Sequence, residues 1–231
     1  MGFSLRTGFV FTMAFALLAF PADFAKAQKL PKLFPFNKKD ALNEWEEKVF
    51  KNKVLYTVKP AVPDGQLSAE SNSACSGLIY RVKFNVNKTP MISWEWKVTK
   101  FPDKLKTQNE GGWIEKDDYA ARVYIIFPSM IFTETQTLEY IWSETDPEGT
   151  IMTSPYFKNI KLIVIESGRE NMDKWVFEER NILEDFTKAF GKSPSRNVGA
   201  ISLMTDTDNT MSTAEAFYKD IKVGYSYEEP K

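Results

Sequence analysis

The feature that most constrains this chain is a recurrence of short runs in which apolar and polar residues alternate, each bounded by turn-forming residues. The runs are Lys53–Val58, Gly77–Phe84, Met91–Val98, Tyr119–Phe127, Thr137–Trp142, Ile160–Ile165, Trp175–Arg180, Val198–Thr205 and Ala216–Tyr225. A period of two puts successive side chains on opposite faces of a sheet. Nine such runs at close spacing predict an all-β fold, an antiparallel jelly-roll-like β-sandwich. The turn chemistry agrees, with Pro63-Asp-Gly65, Asp146-Pro-Glu-Gly149, Ser167-Gly168 and Lys192-Ser-Pro194 between runs.

Two stretches break the period. Asp40 suits a helix N-cap, and Leu42, Trp45 and Val49 then share one face of a short helix. Asn181-Ile-Leu-Glu184 resembles a capping box. Ile182, Asp185/Phe186 and Ala189/Phe190 follow it at helical spacing, and Gly191 stops the helix before Pro194. A helix this isolated does not imply βαβ units.

The N-terminus obeys a different logic. Arg6 precedes an apolar stretch from Gly8 to Phe20, and Ala25-Lys-Ala27 stands before Gln28. That is the pattern of a secretory signal peptide over residues 1–27, cut after Ala27. The stretch is about 13 residues, short of the roughly 18 to 20 that span a bilayer. An uncleaved anchor is the alternative. The destination expected is the periplasm or the exterior, with no membrane span in the mature chain. Residues 28–39, with two prolines and four lysines, read as an extended segment, and residues 40–231 as one domain.

Composition narrows the chemistry. Histidine is absent, which removes Ser-His-Asp and Cys-His hydrolases, histidine-ligated zinc and histidine proton shuttles. Carboxylate, Tyr and Lys chemistry remains. A formal net charge of -1 offers no field to recruit nucleic acid. Cys75 is the one cysteine, so no internal disulfide forms, and Ala-Cys-Ser-Gly suits a buried small side chain.

The run Ala200–Thr205 opens into Asp206-x-Asp208-x-Thr210. The letters match the nucleophile motif of haloacid-dehalogenase-type phosphotransferases, but there the motif follows the first strand of a doubly wound α/β domain. Here only 21 residues follow Thr210. An EF-type loop also fails, for want of the Gly and Glu at its sixth and twelfth positions. Two readings stay open: a looser calcium site using Asp206 and Asp208, and a turn whose side chains hold its own amides. No other cofactor is expected.

Strand parity suggests a second constellation. In Lys116–Phe127, Tyr119, Ala121, Val123, Ile125 and Phe127 share a core face, leaving Asp118, Arg122 and Tyr124 on the other. In Ser93–Val98 the tryptophans face the core, and Glu95 and Lys97 point away. If these strands are neighbours, Glu95, Lys97, Asp118, Arg122 and Tyr124 make one polar face for a sugar or similar polar ligand, with Tyr140 and Trp142 as stacking platforms. The alternative is a solvated face of cross-strand ion pairs. Paired carboxylates of a glycosidase could come from Glu95, Asp117, Asp118, Glu139, Glu166 or Asp206, with nothing in the sequence to select a pair.

Several segments together resemble a bacterial family catalogued as domain of unknown function 3047: Gly65–Val86, Ile92–Val98, Lys116–Phe127, Leu138–Ser143, Ile163–Gly168, Trp175–Gly191 and Ala200–Ile221. The resemblance brings no established activity. The closing Tyr218-Lys-Asp-Ile221 is similar to the last strand of galactose-binding-like and carbohydrate-binding jelly rolls, which implies Asp220 as a further calcium ligand. The expected function is a non-enzymatic binding module for carbohydrate or a similar polar ligand. The alternatives are a polysaccharide hydrolase or lyase, and an envelope protein-interaction module.

Overall fold

The computed structural model describes residues 29–61, 65–104 and 117–227. The leader reading of residues 1–27 and Pro63-Asp64 of the first turn lie outside them. Two sheets face each other. One runs β11 (Val176–Asn181), β6 (Met91–Lys100), β13 (Thr213–Tyr225), β4 (Gln66–Asn72) and β3 (Leu55–Lys59), with β1 (Lys32–Phe34) added along the C-terminal half of β13. The other runs β2 (Trp45–Lys51), β5 (Cys75–Phe84), β12 (Val198–Asp206), β7 (Ala121–Phe127), β8 (Gln136–Ser143), β10 (Ile160–Ser167) and β9 (Ile151–Thr153). The fold is a mostly antiparallel, jelly-roll-like β-sandwich.

One pairing departs from the antiparallel expectation: β10 lies parallel to β8, Ile160 opposite Thr137. A parallel pair cannot be closed by a tight hairpin, and the crossover between them carries β9.

The core between the sheets is aromatic. Trp94 and Trp96 of β6 meet Tyr140 and Trp142 of β8, with ring centroids 5.5 and 5.9 Å apart. Rings of this size bury roughly 150–250 Å² each, about 4–6 kcal/mol on an area basis. The helix α1 (Ile182–Phe190) forms as its caps predict. The Asn181 side chain accepts from the Leu183 and Glu184 amides, and Gly191 takes φ 69° at the C-cap. Phe186 anchors the helix against Phe127, centroids 4.7 Å apart.

The helix expected after Asp40 does not form. Amides of Ala41, Asn43 and Trp45 close consecutive turns on Lys38, Asp40 and Leu42, and from Trp45 the chain pairs with β5 as β2, Trp45 opposite Tyr80. The exposed edge of β5 offered a full row of hydrogen bonds, which outweighs three apolar residues at helical spacing. The N-terminal segment likewise belongs to the sandwich through β1. Gly65 marks how closely it passes, since a Cβ there would strike the Phe36 carbonyl.

Candidate functional site

Parity along β7 is as expected, but the polar face is not one surface. β6 pairs with β11 and β13, whereas β7 pairs with β12 and β8 in the opposite sheet. Glu95 and Lys97 therefore lie on the outer face of the six-stranded sheet, and Asp118, Arg122 and Tyr124 on the far side of the seven-stranded one. The expectation of a single face fails because the two strands belong to different layers.

The second group is also buried. Asp118, Arg122 and Tyr124 expose 0, 2 and 2 % of their surface. Beside them on the outer face of the seven-stranded sheet, Cys75, Ile79, Ile126, Ala200 and Met204 form an apolar cluster under Phe50 and Phe157. This sheet is covered on both faces. A sequence signal for it existed: Val123–Phe127, Ala200–Met204 and Leu162–Ile165 are nearly continuous apolar runs rather than alternating ones, the signature of strands buried on both sides.

Arg122 is the hub of this face. Its guanidinium donates to Glu139 Oε1 at 2.6 Å, Asp206 Oδ2 at 2.8 Å, the Tyr124 hydroxyl at 3.3 Å and the Asp117 carbonyl. The Asp117 carboxylate stands 3.7 Å away. Three buried carboxyl groups thus surround one guanidinium. The guanidinium stays charged, its burial opposed by Asp206, Tyr124, Glu139 and Asp117. Asp117, whose Oδ1 has no hydrogen-bond partner among the described residues, is pushed up to about 7 by burial, resisted by Arg122 and reinforced by Glu139, and burial likewise raises Asp206 and Glu139. Lys104, with its ammonium 3.9 Å from the centre of the Tyr119 ring, is lowered to about 8 by burial and by Arg122.

The acidic turn is held partly from outside itself. Asp118 accepts from the Thr210 amide at 2.7 Å and the Asn209 amide at 3.3 Å. Asp206 accepts from the Tyr119 amide at 2.9 Å. Asp208 also holds its own amide, so the turn is secured both by its own side chain and by the segment entering β7. Nor do the described donors suit calcium. Cys75, Asp206 and Asp208 place one ligand atom each within 4.8 Å of one another, but Asp206 Oδ2 is already given to Arg122. Burial also raises the Cys75 thiol, holding it protonated, and calcium takes six to eight oxygens. Asp220 is not with them. It lies on β13 at a bulge with φ 49°, its carboxylate 3.8 Å from Lys219.

Tyr140 and Trp142 are likewise core rather than platforms. Both are fully buried, Tyr140 donating to Asp185 at 2.8 Å and Trp142 to the Gly168 carbonyl at 3.0 Å. As even-numbered partners in β8 they point inward, with Glu139 and Ile141 outward. Recesses among the described residues lie elsewhere, one of them a cleft of about 470 Å³ between the edges β2 and β3, lined by Leu42, Trp45, Val54, Leu55 and Leu78.

The open polar surface is the outer face of the six-stranded sheet. In one cross-strand row, Lys97 stands opposite Phe217, Phe217 opposite Ser68 and Ser68 opposite Thr57. In the next, Glu95 lies between Phe177 and Lys219. Trp175, just before β11, continues the first row: the Lys97 ammonium is 5.0 Å and the Lys219 ammonium 4.8 Å from its ring centre. Glu95 pairs with Lys219 at 3.3 Å. Phe177 is 62 % exposed and Trp175 partly so. Sequence parity located Glu95 and Lys97 but missed Trp175 and Phe177, whose strand was placed without a partner.

Residues 43–222 match the family described as "Protein of unknown function (DUF3047)". The chain belongs to that family. No curated protein sequence matches this DUF3047 member. Among solved structures it is similar to a family 11 carbohydrate-binding module of Clostridium thermocellum, at 11% identity and TM-score 0.40, over 80% of this chain and 91% of that one. It is also similar to a xylan-binding domain of Paenibacillus barcinonensis, at 12% and 0.43, over 88% and 99%. An endoglucanase of Rhodothermus marinus gives 10% and 0.41, over 78% and 97%. At these identities the likeness of the DUF3047 chain to each is one of fold alone.

Proposed function

We propose that this DUF3047 protein is an exported, non-enzymatic module that binds carbohydrate on the outer face of its six-stranded sheet. The observation that carries the reading is the placement of two accessible aromatic rings, Trp175 and Phe177, with Glu95, Lys97 and Lys219 on one sheet face. Sugars present an apolar ring face and a polar rim. Aromatic planes beside charged hydrogen-bonding groups match both. The Arg122 cluster is not used, because its carboxylates are engaged in the fold.

The test is a glycan screen with Trp175→Ala alongside. Binding by the parent and its loss in the variant, with the far-UV circular dichroism unchanged, is expected. A screen in which both proteins bind equally, or neither binds, overturns the reading. The compartment belongs to the same proposal: N-terminal sequencing of the protein recovered from the periplasm or medium should begin at Gln28.

A further inference from the structure

We infer that the ligand of this face is an acidic polysaccharide, one whose sugars carry carboxylates, an inference that rests on the carbohydrate reading above. The argument begins at Phe217. It lies on the outer face of β13 yet is only 7 % exposed, because the side chains of Lys59 and Lys97 cover it, their ammonium groups 4.6 and 4.7 Å from its ring centre. Lysine stems pack on apolar surface while their charges stay in water.

These two charges are therefore close together, separated by no more than the sum of those distances. Among the described residues neither stands within 4.0 Å of a carboxylate. Lys219, by contrast, is shared by Glu95 at 3.3 Å and Asp220 at 3.8 Å. The surface thus divides into a neutralised part around Lys219 and a part at Lys59 and Lys97 whose neighbouring acids on the same face, Glu70 and Glu215, are engaged by the hydroxyls of Ser68 and Thr99 rather than by these lysines. Nearby like charges without a counter-charge favour an anion.

The aromatic part decides what kind of anion. Lys97 spans the two parts, its ammonium lying near both Trp175 and Phe217. A neutral sugar stacking on Trp175 must displace ammonium groups from the ring and offers them only hydroxyl acceptors, with no counter-charge. A sugar carboxylate pairs with the ammonium it displaces. The row Trp175, Lys97, Phe217, Ser68, Thr57 crosses four inter-strand gaps, about 19 Å at the usual sheet spacing. That length accommodates a chain of several sugar rings.

The experiment uses the full mature protein in affinity gels containing polygalacturonate or neutral mixed-linkage β-glucan, with Lys59→Gln/Lys97→Gln and Trp175→Ala variants checked for folding by circular dichroism. The result expected is retardation by polygalacturonate that weakens about tenfold in the double lysine variant, weakens with added salt, and is lost in Trp175→Ala. Retardation by the neutral glucan that depends on Trp175 and ignores the lysines overturns the acidic class while leaving carbohydrate binding standing. Polygalacturonate retardation that Trp175→Ala does not alter is plain ion exchange and overturns the inference. Retardation by neither polymer overturns the carbohydrate reading itself.

Discussion

Asp118 and Asp206 cap each other's chain segments: Asp118 receives the amides of Asn209 and Thr210, just past β12, while Asp206 receives the amide of Tyr119, just before β7. Two acids 88 positions apart thereby stitch neighbouring strand ends with backbone donors on both sides. Arg122 then ties Asp206 to Glu139 of the next strand. What looks in sequence like a motif for catalysis or metal is a polar seam in a sheet buried on both faces.

Removing the hub should be costly. Arg122→Ala leaves Glu139 and Asp206 buried without their counter-charge, and a loss of about 3–5 kcal/mol in unfolding free energy is expected by urea titration. A variant as stable as the parent would show that this seam does not support the fold.

Asp118→Ala strips the Asn209 and Thr210 amides of their acceptor. The expected loss is about 1–3 kcal/mol, with amide hydrogen exchange accelerated at Thr210. Unchanged protection there would mean that another group takes over the cap.

The pH dependence has a definite sign. Asp117 is raised to about 7 and Glu178 to about 8, each chiefly by burial. A carboxyl with its folded pKa above its unfolded one binds a proton on folding. The stability it contributes is complete below about pH 4 and is lost as pH rises through 7 to 8. The melting temperature of Asp117→Asn, measured relative to the parent from pH 4 to pH 9, should therefore improve toward the alkaline end. A constant difference across that range would rule out the retained proton.

Core and surface aromatics should separate cleanly. Tyr140→Phe removes the hydroxyl that donates to Asp185 and should cost about 1 kcal/mol of stability without altering glycan binding. Trp175→Ala should alter glycan binding while changing stability by about 0.5 kcal/mol or less, as surface substitutions do. Calorimetry and affinity gels on the same two variants give both readouts.

Much of the architecture was legible because it is written locally. The nine alternating runs are all strands, and Asn181 and Gly191 bound the helix as their cap chemistry requires. The misreadings share one cause. Leu42, Trp45 and Val49 have helical spacing, yet Trp45 starts β2 because the edge of β5 lay open beside it. Parity showed that Glu95 and Arg122 each point away from the core between the sheets, but not that they stand on opposite outer faces, nor that one of those faces is covered. Trp175 was visible as a strand residue, and nothing within its own run says that it lies beside Lys97.

By itself, then, the sequence determined the strand character of the nine alternating runs, their inward and outward sides, the caps of α1, and the exclusion of histidine chemistry, all of which depend on periodicity, composition and neighbours a few residues away. Only the tertiary structure decided which strands pair, and with that which polar residues meet. It buried Arg122 with Glu139 and Asp206 as a seam, and it left Glu95 and Lys97 in the open beside Trp175. Strand order is settled by contacts between residues tens of positions apart, whose free energy is counted only when the two sheets close on their aromatic core.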